Sequence, residues 1–264
     1  MKKFMGRDFL LDNEIEKELF VLFAKDKPIF DWHCHLSAKE IFENREPEDL
    51  CELWLSGDHY KWRAMRSAGI DEKYITGDAQ PFEKFLAFSK TLSLAAGNPL
   101  YHWSHLELQR YFGIDTPLSP ETAEKIWNES KEKIKKGGFT PRELIASSNV
   151  FALCTTDDPV DSLEWHEKLK NENLSFKVLP AFRPDKVINI ETHDFPEYLS
   201  LLEKAAGTEI GSFEDLKEAL CKRMEFFKSL GSVASDQSVA SVPYAPATEG
   251  EVEKIFKKAK SGLP

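Results

Sequence analysis

Apolar residues recur at helical spacing near the start of the chain, with Ile15, Leu19, Phe20, Leu22 and Phe23 on one stripe. Asn13 stands where a cap belongs, so a helix is expected over about 13–25, ending before Asp26-Lys27-Pro28. The period then shortens. Ile29-Phe30-Asp31-Trp32 runs into His33-Cys34-His35 and reads as a strand over 29–35, and Ser37-Ala38-Lys39-Glu40 carries the capping-box pattern that opens another helix. Residues 37–148 then read as almost continuous helix, in pieces near 47–55, 59–68, 80–96, 99–113, 120–136 and 141–147 divided by Gly and Pro. Two of these starts, Ser119-Pro120-Glu121 and Thr140-Pro141-Arg142, put a cap residue before proline at the first helical position.

Strand and helix alternate again after this stretch. Short apolar runs at 150–155, 177–182 and 232–235 are separated by helices expected near 160–170, 195–206 and 213–230, and a last helix is expected over about 248–261. Strands that alternate with helices build a parallel sheet. The chain therefore reads as α/β, of the (β/α)8 TIM-barrel type but incomplete, with about four strands where a closed barrel takes eight. The corresponding organisation is an N-terminal helix and first strand over 1–36, a large helical insertion over 37–148, and further β/α units with the terminal helix over 149–264.

Composition narrows the class of partner. The 264 residues are 41% apolar and 30% charged, with 19 Phe and 6 Trp, which is enough for a substantial core. A net charge of −10 argues against a surface that tracks nucleic-acid phosphates. No apolar run approaches the roughly 20 residues that span a bilayer. Cys34, Cys51, Cys154 and Cys221 lack CxxC spacing, as expected of packing residues in a reducing compartment, so a cytoplasmic location is expected.

The chemistry is expected where the strands end. On a strand, residues i and i+2 share a face, so His33 and His35 can converge on one metal ion, and neutral imidazole suits zinc and similar divalent ions. The plainer reading is two histidines satisfied by hydrogen bonds. The other strands also end in polar residues: Thr156-Asp157-Asp158, Arg183-Pro184-Asp185 and Asp236-Gln237. Asp157 and Asp158 either organise the polar surroundings of the site or cap the next helix, and the cap is the role expected. His102 and His105, three residues apart in a helix, mark a packing face and receive no role.

Five segments taken together resemble one family: Phe30-Asp31-Trp32-His33-Cys34-His35-Leu36, Gly57-Asp58-His59-Tyr60-Lys61-Trp62-Arg63-Ala64-Met65-Arg66, Cys154-Thr155-Thr156-Asp157-Asp158-Pro159, Pro180-Ala181-Phe182-Arg183-Pro184-Asp185 and Ala234-Ser235-Asp236. They are similar to uronate (glucuronate) isomerase, a divergent branch of the amidohydrolase superfamily. The resemblance implies a (β/α)8 barrel that interconverts D-glucuronate with D-fructuronate and D-galacturonate with D-tagaturonate. It implies a divalent metal, zinc, on His33 and His35, with His59 and Tyr60 over the sugar as the catalytic pair. Arg183 would hold the uronate carboxylate, because guanidinium presents a bidentate fork. On local sequence alone, His59 and Tyr60 are surface residues at a helix start, and Arg183 forms an ion pair with Asp185 or Asp157.

Two departures from the family stand out. Gln237 follows Asp236 where the family has histidine. Family members are also longer, and the metal-binding Asp and nearby Arg of their last strand have no counterpart before Pro264, so a truncated or rearranged form is expected. A metal-dependent hydrolase of the same superfamily, and a non-catalytic barrel fragment that needs a complementing chain, are the alternatives. A homo-oligomer is the other partner in view.

Overall fold

The computed structural model describes residues 4–239 and 244–262. The chain divides into two compact units, Met1–Lys27 with Asn44–Leu144, and Pro28–Glu43 with Ile145–Pro264. The N-terminal segment thus groups with the helical stretch and not with the first strand. Its anchor is aromatic: the Phe4 ring meets Tyr101 at 6.0 Å and His105 at 5.2 Å, and Phe9 meets His102 at 5.2 Å.

In the helical unit the opening helix spans Glu14–Leu19, with Asn13 at the expected cap and Glu16 completing a capping box, then widens into a π-helical turn over Phe20–Ala24. The stripe expected from its spacing is present, yet Ile15, Leu19, Phe20, Leu22 and Phe23 are all exposed. Further on lie helices Leu50–Leu55, His59–Ser67, Pro81–Leu94, Pro99–Arg110 and Ala123–Ile134. Phe85 and Phe88 on Pro81–Leu94 are fully buried and pack with Trp54, Ile126 and Trp127. The Phe85 and Trp127 rings lie 5.3 Å apart. The helix expected from Ser119-Pro120 begins only at Ala123, because Thr122 turns its hydroxyl back to the Pro117 carbonyl and accepts the Ser119 N–H.

In the other unit three parallel strands form one sheet, in the order β1 (Ile29–Asp31), β2 (Val150–Asp157), β3 (Lys177–Phe182). The register runs from Ala152 opposite Lys177 to Asp157 opposite Phe182, and pairs Phe30 with Ala152 and Asp31 with Leu153. Two strand expectations change. The first strand stops at Asp31 instead of continuing to His35, although Cys34 still donates its N–H to the Cys154 carbonyl at 2.8 Å. The run at 232–235 contributes one parallel bridge, Ser235 to Phe182, and not a fourth strand. The parallel α/β reading stands, with a sheet of three strands among the described residues where about four were expected.

Helices flank the sheet. Leu153 packs on Ala38, Ile41, Leu169 and Phe176, while Phe195, Leu199, Leu202, Leu216 and Phe256 form a second cluster among the C-terminal helices. The buried Arg223, on helix Phe213–Ser229, ties that layer to the loop after β2 by donating to the carbonyls of Pro159, Asp161 and Ala205. Burying a guanidinium is tolerable only because carbonyls replace its water. The helix expected over 160–170 starts late, at Glu164, after Leu163 in the left-handed region. Among the described residues no helix is long and apolar enough to cross a membrane.

One buried histidine makes the helical unit sensitive to acid. His105 donates from Nδ1 to the Tyr101 carbonyl at 2.6 Å and accepts the Leu118 N–H on Nε2 at 2.8 Å, so it is held in one neutral tautomer. Burial lowers its pKa below the usual 6.5. The unfolded chain then binds this proton more readily than the folded one, and stability falls as pH drops through the ordinary histidine value. Urea denaturation at pH 7.5 and at pH 5 is expected to show a lower midpoint at pH 5. In His105→Ala, less stable at both pH values, the difference between them should shrink; an unchanged difference would exclude His105 as its source.

Candidate active site at the strand ends

Because the strands are parallel, the segments that leave their carboxyl ends emerge on one side of the sheet. The segment after β1 carries His33 and His35, the residue after β3 is Arg183, and Asp236 follows the bridge at Ser235. Backbone bonds hold these pieces together: Arg183 N–H to the Asp157 carbonyl at 2.9 Å, Phe182 N–H to Ala234 at 3.1 Å, and Asp236 N–H to Phe182 at 3.3 Å.

The two expected metal ligands converge even though neither lies in the strand. His33 Nε2 and His35 Nε2 share a hydrogen bond at 3.0 Å, as the plainer reading expects, with the rings edge to face. Two nitrogens each roughly 2.05 Å from a tetrahedral zinc are about 3.3 Å apart, so the pair needs a shift of only a few tenths of an ångström to share an ion. Among the described residues no group of three or more His, Cys, Asp and Glu closes on one point, so this pair offers two ligands and leaves the remaining positions of a coordination sphere to other groups. The donor set fits half of a zinc site.

Asp236 received no role from the sequence, yet it links the two halves of this region. Its Oδ2 accepts a hydrogen bond from His33 Nδ1 at 2.5 Å, and its Oδ1 lies 4.0 Å from Arg183 Nε. The signal that could have found it is an acidic residue placed directly after a short apolar run, at the same end of the sheet as a histidine pair. Arg183 forms the expected ion pair with Asp185, its Nε donating to Oδ2 at 3.0 Å. Only Nε is used: among the described residues neither Nη group has a hydrogen-bond partner, so the outer fork is available to a carboxylate.

His59 and Tyr60 belong to the helical unit, in the first turn of helix His59–Ser67. Asp58 caps that turn by accepting the Tyr60 and Lys61 N–H groups and pairs with the Lys61 ammonium at 2.8 Å. The His59 and Tyr60 rings are 4.2 Å apart, both residues are exposed, and the Arg63 guanidinium lies 5.6 Å from the centre of the Tyr60 ring. This is a rigid mount for two accessible proton-carrying groups.

The residues expected to cap the helix after β2 do something else. Asp158 Oδ1 accepts from Val160 N–H and from the Tyr198 hydroxyl at 2.8 Å. Asp157 accepts from the Thr155 hydroxyl at 2.6 Å, and that oxygen lies 2.8 Å from Nε2 of the buried His166. Burial pushes Asp157 up to about 6 and His166 down to about 4, so His166 is uncharged at neutral pH and donates to Thr155, which donates to Asp157.

Fold and site together define an α/β protein that gathers His, Asp and Arg at the carboxyl ends of parallel strands, an arrangement suited to small polar ligands. The chain belongs to the glucuronate isomerase family, whose model matches residues 1–263. It is 54% identical to the uronate isomerase of Caldanaerobacter subterraneus subsp. tengcongensis over 98% of this chain and 56% of that protein. It is 51% identical to that of Lachnospira eligens over 99% of this chain and, again, 56% of the relative. The crystal structure of uronate isomerase from Thermotoga maritima superposes with a TM-score of 0.91 at 39% identity, covering 99% of this chain and 57% of that one. Glucuronate isomerase from Caulobacter crescentus gives 0.85 at 26% identity, covering 93% and 53%. The chain thus spans a little over half the length of the relatives it matches.

The raised pKa of Asp157 has a definite sign. The folded chain holds this proton more tightly than the unfolded one, so the contribution to stability is present at low pH and is lost as pH rises through about 6. Asp157→Asn, which keeps an oxygen for Thr155, is expected to raise the urea midpoint most at pH 8, less at pH 5, and little near pH 3, below the ordinary aspartate value. A loss of stability at pH 8 would show that the ionised carboxylate is supported there.

Proposed function

We propose that this chain carries the metal- and carboxylate-binding part of a uronate isomerase site, on an arc of a (β/α)8 barrel. The observation that carries the proposal is the convergence of His33 and His35, with Asp236 bonded to His33 and lying 4.0 Å from an arginine whose outer fork has no hydrogen-bond partner among the described residues. A substrate with a carbonyl and hydroxyls at one end and a carboxylate at the other matches that order of groups. The His33 and His35 Nε2 atoms would hold a divalent cation, zinc by the chemistry of the donors. When bound, such an ion supplies Lewis-acid polarisation of a substrate oxygen.

The remaining roles fall to side chains. Arg183 holds the uronate carboxylate through its two Nη groups and fixes the length of sugar that reaches the histidines. Aldose-to-ketose conversion removes the proton from C2, delivers one to C1, and moves a proton from the C2 hydroxyl to the C1 oxygen, which calls for accessible acid/base groups. His59 and Tyr60, matched by the resemblance to the family, are assigned that work, with Tyr60 presenting a hydroxyl and His59 an imidazole. The remaining length found in the relatives would supply the other ligands and close the barrel, within one polypeptide or as a complementing chain.

Binding of D-glucuronate to the zinc-loaded chain, followed by calorimetry, tests the assignment of Arg183. Arg183→Met is expected to weaken it by about 10–100-fold, the range for a lost charge-assisted hydrogen bond, while zinc affinity stays within about twofold. Equal glucuronate affinity in the variant would remove Arg183 from the site. Where turnover is measurable, the product mass should equal the substrate mass; uptake of water would point instead to hydrolysis.

A further inference from the structure

The hydrogen bond between Asp236 and His33 does more than join two segments. A carboxylate only accepts, so the proton between His33 Nδ1 and Asp236 Oδ2 must sit on the nitrogen. A neutral imidazole carries one such proton. With it fixed on Nδ1, His33 Nε2 is left with a lone pair, which without metal accepts the Nε2–H of His35 at 3.0 Å and becomes a ligand once that proton is displaced.

A purely structural carboxylate would be expected to have both oxygens satisfied. Asp236 does not: its Oδ1 is buried and has no hydrogen-bond partner among the described residues, with Arg183 Nε no closer than 4.0 Å. An unmet buried acceptor costs about 1–3 kcal/mol, so its placement asks for a compensating purpose. Arg183 does not provide it, because its Nε is already donated to Asp185, whose second oxygen is in turn held by Ser238 N–H at 2.8 Å. The backbone fixes Asp236 firmly enough for a positioning task, through its own N–H to Phe182 and the parallel bridge at Ser235.

We infer that Asp236 is a positioning residue that acts through His33, locking the Nδ1–H tautomer so that Nε2 is ready to ligate a divalent cation. The inference rests on the metal reading given above. A carboxylate on the far nitrogen also makes the ligating nitrogen more basic, and loss of such a partner typically weakens metal binding 10–100-fold.

The test uses the full chain labelled with 15N-histidine, free of metal, with the His33 signal assigned by its disappearance in His33→Gln. Long-range proton–nitrogen spectra are expected to show His33 as the Nδ1–H tautomer. In Asp236→Leu the signal should move toward Nε2–H, and zinc affinity, measured by competition with a chelating dye, should fall about 10–100-fold. Asp236→Asn keeps an acceptor oxygen and should restore the tautomer and most of the affinity, a rescue that separates positioning from folding; circular dichroism checks that each variant is folded. An unshifted tautomer in Asp236→Leu, or zinc affinity within twofold of the unsubstituted chain, would overturn the inference. Failure of the unsubstituted chain to bind zinc would overturn the metal reading instead, and the tautomer shift, read without metal, keeps the two failures apart.

Discussion

Parallel pairing of β2 with β1 on one side and β3 on the other is the constraint on which the site depends. It turns three segments far apart in sequence toward the same end of one sheet, and the backbone bonds beyond the strands extend that order to Cys34, Arg183 and Asp236. The pairing of β1 is costly. Residues 31 and 150 are separated by more than a hundred positions, and the length-dependent part of closing so long a flexible loop is roughly 4 kcal/mol. A three-residue strand repays little of that alone. The helical unit reduces the cost, because a segment that folds on its own core, around Phe85, Phe88 and Trp127, is no longer a flexible loop.

Features of the sequence were legible where their cause is local. Asn13, Ser37 and Thr140 each start a helix as their cap positions announce, since a cap and its box are complete within four residues. Ser119-Pro120 misled because Thr122 found a better use for its hydroxyl at the Pro117 carbonyl. The strands were over-read for a different reason. Apolar runs at 29–35 and 232–235 show that a segment is extended and say nothing about whether a neighbour pairs along all of it; the first keeps three residues in the ladder and the last keeps one bridge. The exposed apolar stripe of the opening helix shows the same limit, since spacing establishes a face without naming what covers it.

The candidate site was legible in part. Arg183 stands directly after β3, as strand order puts it, while His33 and His35 lie past the strand expected to carry them and converge all the same. Asp236 and the Thr155, Asp157 and His166 chain were not legible in their roles, because each is defined by a partner distant in sequence: His33 lies 203 residues from Asp236, and His166 lies 11 residues from Thr155 on another element. The two acidic residues after β2 illustrate the point. Adjacent carboxylates before a helix suggest caps, yet Asp157 is drawn into the strand–helix interface while Asp158 bonds a tyrosine 40 residues on.

In this account the strand ends form a polar line, with the two imidazoles at one end, the arginine fork at the other, and Asp236 between them holding the first histidine in register. The proposed metal role rests on whether a divalent cation binds at His33 and His35. The most direct measurement is an anomalous difference map collected at the zinc edge from crystals of the chain grown with zinc. One peak about 2.0–2.1 Å from Nε2 of both histidines is expected. A map with no peak there, or with zinc held only elsewhere on the chain, would contradict the account.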